Sequence, residues 1–206
     1  MKFFLYYAVG IYHGIRYLCK MLKYGAFLLF MFLVAGCSEK PFPKPKGELR
    51  LEYPKPEYQV FDGELPFVFE YSHFAKVAKG KNTGWYNISY PKMNAYVFMT
   101  FFNLKNDLEA HIKESEKMVY KHTIKATSIQ TQSFSFPKKK VYGNFYILSG
   151  PTASNVQFYI TDSTKYFVTG DLSFNTRPKP DSLAPAVDYI KNDLQHLIDT
   201  FQWKQQ

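Results

Sequence analysis

The chain has 206 residues, of which 46% are hydrophobic, and 26 Lys and Arg against 17 Asp and Glu give a formal charge of +9. With Cys19 and Cys37 its only cysteines, a disulfide framework and a cysteine-ligated zinc site are excluded. The positive balance is concentrated at the N-terminus, and it does not of itself call for nucleic acid.

Residues 1–36 read as export sequence. Ala26 to Val34 is an apolar run flanked by Lys20 and Lys23. It is shorter than the ~20 apolar residues of a permanent spanning helix and has the length of a signal-peptide core. It ends in Leu33-Val34-Ala35-Gly36-Cys37, which resembles the lipobox of bacterial lipoproteins, whose cysteine is acylated and becomes the new N-terminus. That resemblance implies a covalent lipid on Cys37, and no other cofactor is expected. Met21-Leu22-Lys23-Tyr24 followed by Gly25–Val34 already makes a whole signal of this kind, so Met21 is the expected start. Removing residues 1–36 takes away Lys2, Arg16, Lys20 and Lys23 and no acid, which leaves 22 bases, 17 acids and a charge of +5. Such a balance suits a soluble domain near anionic surfaces.

Ser38–Lys46 reads S-E-K-P-F-P-K-P-K. Its three prolines favour polyproline II, a semi-rigid stand-off of roughly 28 Å at ~3.1 Å per residue. Residues 37–47 are therefore read as lipidated cysteine and linker, and 48–206 as one globular domain, long enough for a substantial core.

Within that domain, aromatic and β-branched runs broken by Pro and Gly predict strands at Leu49–Tyr53, Pro66–Tyr71, Trp85–Tyr90 and Asn94–Phe102. The last is apolar on both faces, as in a strand covered on both sides. Asn106–Lys125 is predicted helical, capped by Asn106 with Glu109 three residues on. Leu108, Ile112, Ser115 and Val119 make its inward stripe. Strands follow at Ile129–Phe136, Val141–Leu148, Val156–Thr161 and Tyr166–Phe174. In the third, Val156, Phe158 and Ile160 alternate with Gln157, Tyr159 and Thr161, which predicts one buried face. A closing helix is expected from Leu183 to Phe201, with Ser182 as cap and Pro185 in the first turn. Val187, Ile190, Leu194, Leu197 and Phe201 face inward. This order predicts an α+β domain, two main helices on a largely antiparallel sheet.

No catalytic constellation emerges. Gly80-Lys81-Asn82-Thr83 resembles the end of a P-loop, but Ala75 stands where the first glycine belongs. His73, His111, His122 and His196 are scattered; His111 and His122 share a helix yet lie about 16 Å apart along it, so no metal site is expected. Glu114 and Glu116 point to different sides of the same helix. The candidate contact residues are polar ones at element ends. Lys121, His122 and Lys125 close the first helix, where bases suit the dipole. Ser154, Asn155 and Gln157 put hydroxyl and amide groups at one turn, and Asp162, Ser163 and Lys165 at the next. Lys138-Lys139-Lys140 at a hairpin tip reads as a solvated turn, or as a contact for phospholipid or an acidic protein.

Several stretches together resemble the gliding motility lipoprotein GldD family of the Bacteroidota. They are Pro45-Lys46-Gly47, Tyr120–Ala126 (Y-K-H-T-I-K-A), Ser154–Phe158 (S-N-V-Q-F), Thr161–Lys165 (T-D-S-T-K), Asp181–Pro185 (D-S-L-A-P) and Thr200–Lys204 (T-F-Q-W-K). The resemblance implies a non-enzymatic component needed for gliding motility and type IX protein secretion, working beside other proteins of that machinery. It supplies no catalytic residue to transfer. In element order alone the domain is similar to Mog1/PsbP-like sandwiches, which says little about function. Ser38 after the cysteine and a linker without an acidic cluster favour an anchor facing the periplasm, on either membrane. The alternative is a carrier of lipid or glycan between sheet and helices, with a hydrolase third.

Overall fold

The computed structural model describes Met21 and residues 53–204 other than 123 and 178. Cys37, the Ser38–Lys46 linker and most of the strand expected at Leu49–Tyr53 lie outside the described residues; Tyr53 is not in a strand.

Among the described residues ten strands and two α-helices follow in order. They are β1 (Tyr58–Phe61), β2 (Phe67–Ser72), β3 (Lys76–Lys79), β4 (Trp85–Tyr90), β5 (Ala95–Asn103), α1 (Leu108–Tyr120), β6 (Ser128–Phe136), β7 (Val141–Ser149), β8 (Ser154–Thr161), β9 (Tyr166–Phe174), α2 (Pro180–Thr200) and β10 (Gln202–Trp203). The strands form a seven-stranded sheet, β3-β4-β5-β9-β8-β7-β6, and a small sheet, β1-β2-β10. Every pairing is antiparallel, and the α+β architecture is as the sequence predicts.

The strand order explains where the helices go. Two meanders, β3-β4-β5 and β6-β7-β8-β9, meet where β5 pairs β9. The chain leaving β5 must therefore reach the far edge before β6 begins. α1 makes that crossing over β8 and β9, while α2 packs on the small sheet and β8. The main core fills the α2 side, where Val97, Phe158, Ile160 and Leu172 meet Ile190, Leu194, Phe201 and the small-sheet residues Phe67 and Phe69. Phe67, Phe158 and Phe201 are almost wholly buried, each worth about 1.5–3 kcal/mol in apolar burial. A smaller cluster under α1 joins Val119 to Tyr146, Leu148, Tyr159 and Phe167.

β8 corrects one expectation. Alternation predicted a single buried face, but all eight residues Ser154–Thr161 are buried. The strand is next to central, with helices on both sides, so Gln157 and Tyr159 are covered by α1. β5 corrects the opposite one: Phe98 is 42% exposed, because α1 covers β8 and β9 and leaves that stretch of β5 open.

Both helix starts shift. Asn106 does not cap α1; it takes φ +62°, and Asp107 holds the cap position with its Oδ1 accepting from the Lys105 N–H at 2.8 Å. α1 also ends at Tyr120 rather than Lys125, where the β-branched pair Thr123-Ile124 follows and disfavours another turn. α2 starts at Pro180 rather than Leu183, since proline is pre-set for the first helical position; Pro185 then falls in the second turn. At its other end, the Thr200 hydroxyl donates to the His196 carbonyl at 2.8 Å and accepts from the Glu70 N–H at 3.0 Å. That bond ties the helix to β2.

Candidate functional site

α1 does not lie flush on the sheet. Beside it an open cleft of about 330 Å³ runs between the helix and β9, with β8 on its floor. His111, Ser115, Met118 and His122 line the helix side, at the three- and four-residue spacings that share one face. Gln157, Thr169, Asp171 and Ser173 form a polar floor, walled by Phe102 and Phe167. Sheet register sets this row: Gln157 pairs with Asp171, and Asp171 with Phe98 on β5.

Asp171 is the charged centre of the cleft. Burial pushes its pKa up, and a 3.2 Å hydrogen bond from the Ser173 hydroxyl to Oδ2 opposes the shift in part. The Gln157 side chain, 93% buried, borders the cleft. His111 is committed elsewhere, packed 4.8 Å from Phe102 and 5.3 Å from Phe167 and paired with Asp107 at 3.6 Å. Beyond Asp171 the same sheet face carries Phe98, Tyr96 and the 47% exposed Trp85, an aromatic surface continuous with a polar cleft. It can accept hydrogen-bonding groups and flat apolar ones together.

The nine contact residues expected from sequence fall into two groups. Lys121, His122, Lys125, Ser154, Asn155 and Gln157 gather at one end of β8, where Thr127 N–H donates to Ser149 O and the 121–126 turn meets the β7–β8 loop. Asp162, Ser163 and Lys165 sit at the opposite end, about 23 Å away for a strand of this length. Only His122, Ser154 and Gln157 line the cleft. Asn155 is spent internally, its Nδ2 donating to Leu148 O and Thr152 Oγ1, both at 3.2 Å. Asp162 is likewise occupied, since its Oδ1 accepts from the N–H groups of Thr164, Lys165 and Tyr166 at 2.9, 2.7 and 2.8 Å. The sequence carried no local signal for Asp171, one polar residue in an alternating strand; only the register of three strands brings it to Gln157.

A second polar feature is interior. Asp193 on α2 is 1% exposed, and neither carboxylate oxygen has a hydrogen-bond partner, nor do the buried Ser72 and Tyr189 hydroxyls. Beside it His196 Nε2 lies 2.7 Å from Glu70 Oε2 and stacks on Tyr58 at 3.6 Å. This seam joins α2 to the small sheet.

Among the described residues no three His, Cys, Asp or Glu side chains cluster as a metal site requires, and no helix is long and apolar enough to cross a membrane. A family model described as gliding motility lipoprotein GldD matches residues 38–203, taking in the cleft, both groups of contact residues and the Asp193 seam. No curated protein matches the chain.

Proposed function

The chain belongs to the gliding motility lipoprotein GldD family, and from that premise we propose that its folded domain is a scaffold or assembly factor without enzymatic activity. Membership implies a role in gliding motility and association with a membrane. In our reading Cys37 carries the lipid, the domain faces the periplasm, and its partners are other proteins of the gliding and type IX secretion machinery.

The observation behind this reading is how the interior is filled. The void walled by Phe61, Phe67, Met99 and Val168 measures about 10 Å³, room for one water at most, and the roomier hollows beside α1 and between α2 and the end of β7, each about 330 Å³, are open to solvent. A carrier enclosing a lipid needs hundreds of cubic ångströms. Recognition therefore falls on the outer surface, where His122 lines the α1 cleft and Lys121 and Lys125 are its neighbours in sequence. The glycan-carrier reading keeps one feature in its favour, the polar cleft running into the Phe98–Trp85 face.

Crosslinking in living cells, with Cys37→Ala alongside, tests the proposal. Capture of motility or secretion proteins, lost with Cys37→Ala and reduced by Lys121→Glu with Lys125→Glu at normal abundance, is the expected result. Capture of no protein, with glycan copurifying instead, would overturn it and put the carrier first.

A further inference from the structure

We propose that a cationic depression at the far end of the sheet is a docking surface for anionic phospholipid headgroups, through which the domain rests against the membrane. The proposal builds on the lipid anchor argued above and adds a second contact to it.

Three distant segments meet there. The β6–β7 turn brings Lys138, Lys139 and Lys140, the β8–β9 turn brings Lys165, and the C-terminus brings Lys204, around an open depression of about 470 Å³. In sequence Lys138–Lys140 reads as a solvated turn or as a contact for phospholipid or an acidic protein, and the fold holds it in place. The Trp203 indole N–H donates to the Lys140 carbonyl at 2.9 Å, and the Lys139 ammonium donates to the Asp199 carbonyl at 2.6 Å.

The countercharge is small and already engaged. Lys204 is paired with Asp62 at 2.7 Å. Asp162, the acid in the lining, directs Oδ1 at its own turn's N–H groups. Lys138, Lys140 and Lys165 are exposed, and their ammonium groups make no hydrogen bond or ion pair with other described residues. Each such lysine strengthens attraction to an anionic leaflet on the order of fivefold, so the three together reach on the order of a hundredfold. Trp203 stacked on Tyr166 at 5.4 Å adds an amphipathic aromatic pair of the kind that settles at headgroup depth.

The tether is long enough. Tyr53 lies sixteen residues along the chain from Cys37, at most about 55 Å. Tyr53 stacks on Tyr189 at 5.0 Å, and Asp199, which holds Lys139, lies about 15 Å further along α2.

Trp85→Phe leaves Trp203 as the sole indole and so as a reporter. The full acylated chain carrying Trp85→Phe is reconstituted in vesicles containing a lipid quencher at headgroup depth. One set is phosphatidylcholine alone and the other includes phosphatidylglycerol. Flotation with neutral vesicles reads the anchor, whereas the quenching difference reads the docking surface, so either can fail without the other. Trp203 quenching several-fold greater on anionic vesicles is expected. It should be reversed by high salt and lost with Lys138→Glu, Lys140→Glu and Lys165→Glu, or reduced with the three alanines. Equal quenching on both vesicles would overturn the proposal. So would charge-reversed protein that keeps wild-type quenching yet fails to support spreading, a result pointing to an acidic protein instead.

Discussion

Asn94 and Lys140 occupy the same position in two matched turns. Each closes a proline-initiated 3-10 turn, Pro91–Met93 and Pro137–Lys139, in the left-handed region, at φ 51° and ψ 41° for Asn94 and φ 51° and ψ 44° for Lys140. Each donates its N–H to the proline carbonyl, at 3.3 and 3.1 Å. Both side chains' Cβ atoms crowd the following carbonyl, but the short asparagine amide can offset this by hydrogen-bonding locally, whereas lysine bears the cost of about 1 kcal/mol in full. The strained member of the pair is the one that lines the cationic depression.

Lys140→Asn is therefore expected to raise the unfolding free energy by about 1 kcal/mol, read from urea denaturation. The Trp203 bond to residue 140 survives, because it uses the backbone carbonyl. A variant no more stable than wild type would mean that the lysine fits this backbone without strain.

How far the sequence could be read depended on whether a feature was local. The inward stripes of α1 and α2 were legible from their helical period, and the strands β4 to β9 from aromatic and β-branched runs broken by Pro and Gly. β1, β3 and β10 were not. Lys76–Lys79 is four residues with three exposed, and Gln202–Trp203 becomes a strand only by pairing with Val68 and Phe67. Asn106 against Asp107 as the cap turned on a backbone angle that composition does not carry. In the candidate site, Ser154 and Gln157 stood out as polar residues at a turn, and Asp162 as a turn former. Asp171 was invisible, and of the five-lysine depression only the Lys138–Lys140 turn and Lys165 drew notice singly, since both sites are assembled across the sheet.

Gly143 shows how tightly that sheet is closed. A Cβ there would collide with the Tyr159 carbonyl oxygen on β8 and come within 2.6 Å of Phe134 Cζ on β6. The ring can turn, but the carbonyl belongs to a paired central strand. Gly143→Ala should lower stability by about 3 kcal/mol, the upper range for overpacking, with a matching drop in thermal midpoint. A loss below a few tenths would show that β7 and β8 can part locally.

Asp162 separates a structural role from a contact role. Burial opposes its charge, yet the N–H groups of Tyr166, Thr164 and Lys165 outweigh that and hold its pKa below the usual carboxylate range. Stability from a depressed carboxylate is present above the unfolded pKa and lost as pH falls through the folded one. Asp162→Ala should thus cost about 1–2 kcal/mol at neutral pH and flatten the acid limb of the stability curve. Loss of spreading at wild-type stability would instead return Asp162 to the contact face.

Asp193 has the opposite sign. Burial pushes its pKa up; the nearby hydroxyls of Ser72, Tyr90 and Tyr58 and the charge of His196 offset this in part. None of those hydroxyls closes a hydrogen bond of ordinary length and angle to either oxygen. Tyr58 answers in kind, its phenol pushed up to about 12 by burial first and then by the Asp193 charge. With a folded pKa above the unfolded carboxylate value of about 3.9, the native state binds a proton that the unfolded chain has released. Stability therefore falls as pH rises through that window and stays lower above it. Asp193→Asn keeps the shape, removes the buried charge and offers donors to the Ser72 and tyrosine oxygens. It should stabilise the protein by about 1–2 kcal/mol near neutral pH, an advantage that shrinks on acidification as the wild-type carboxyl takes up its proton. Urea denaturation of both proteins across that range decides the matter. Equal destabilisation at acid and neutral pH would mean that the seam between α2 and the small sheet depends on the carboxylate and its surrounding hydroxyls as they stand.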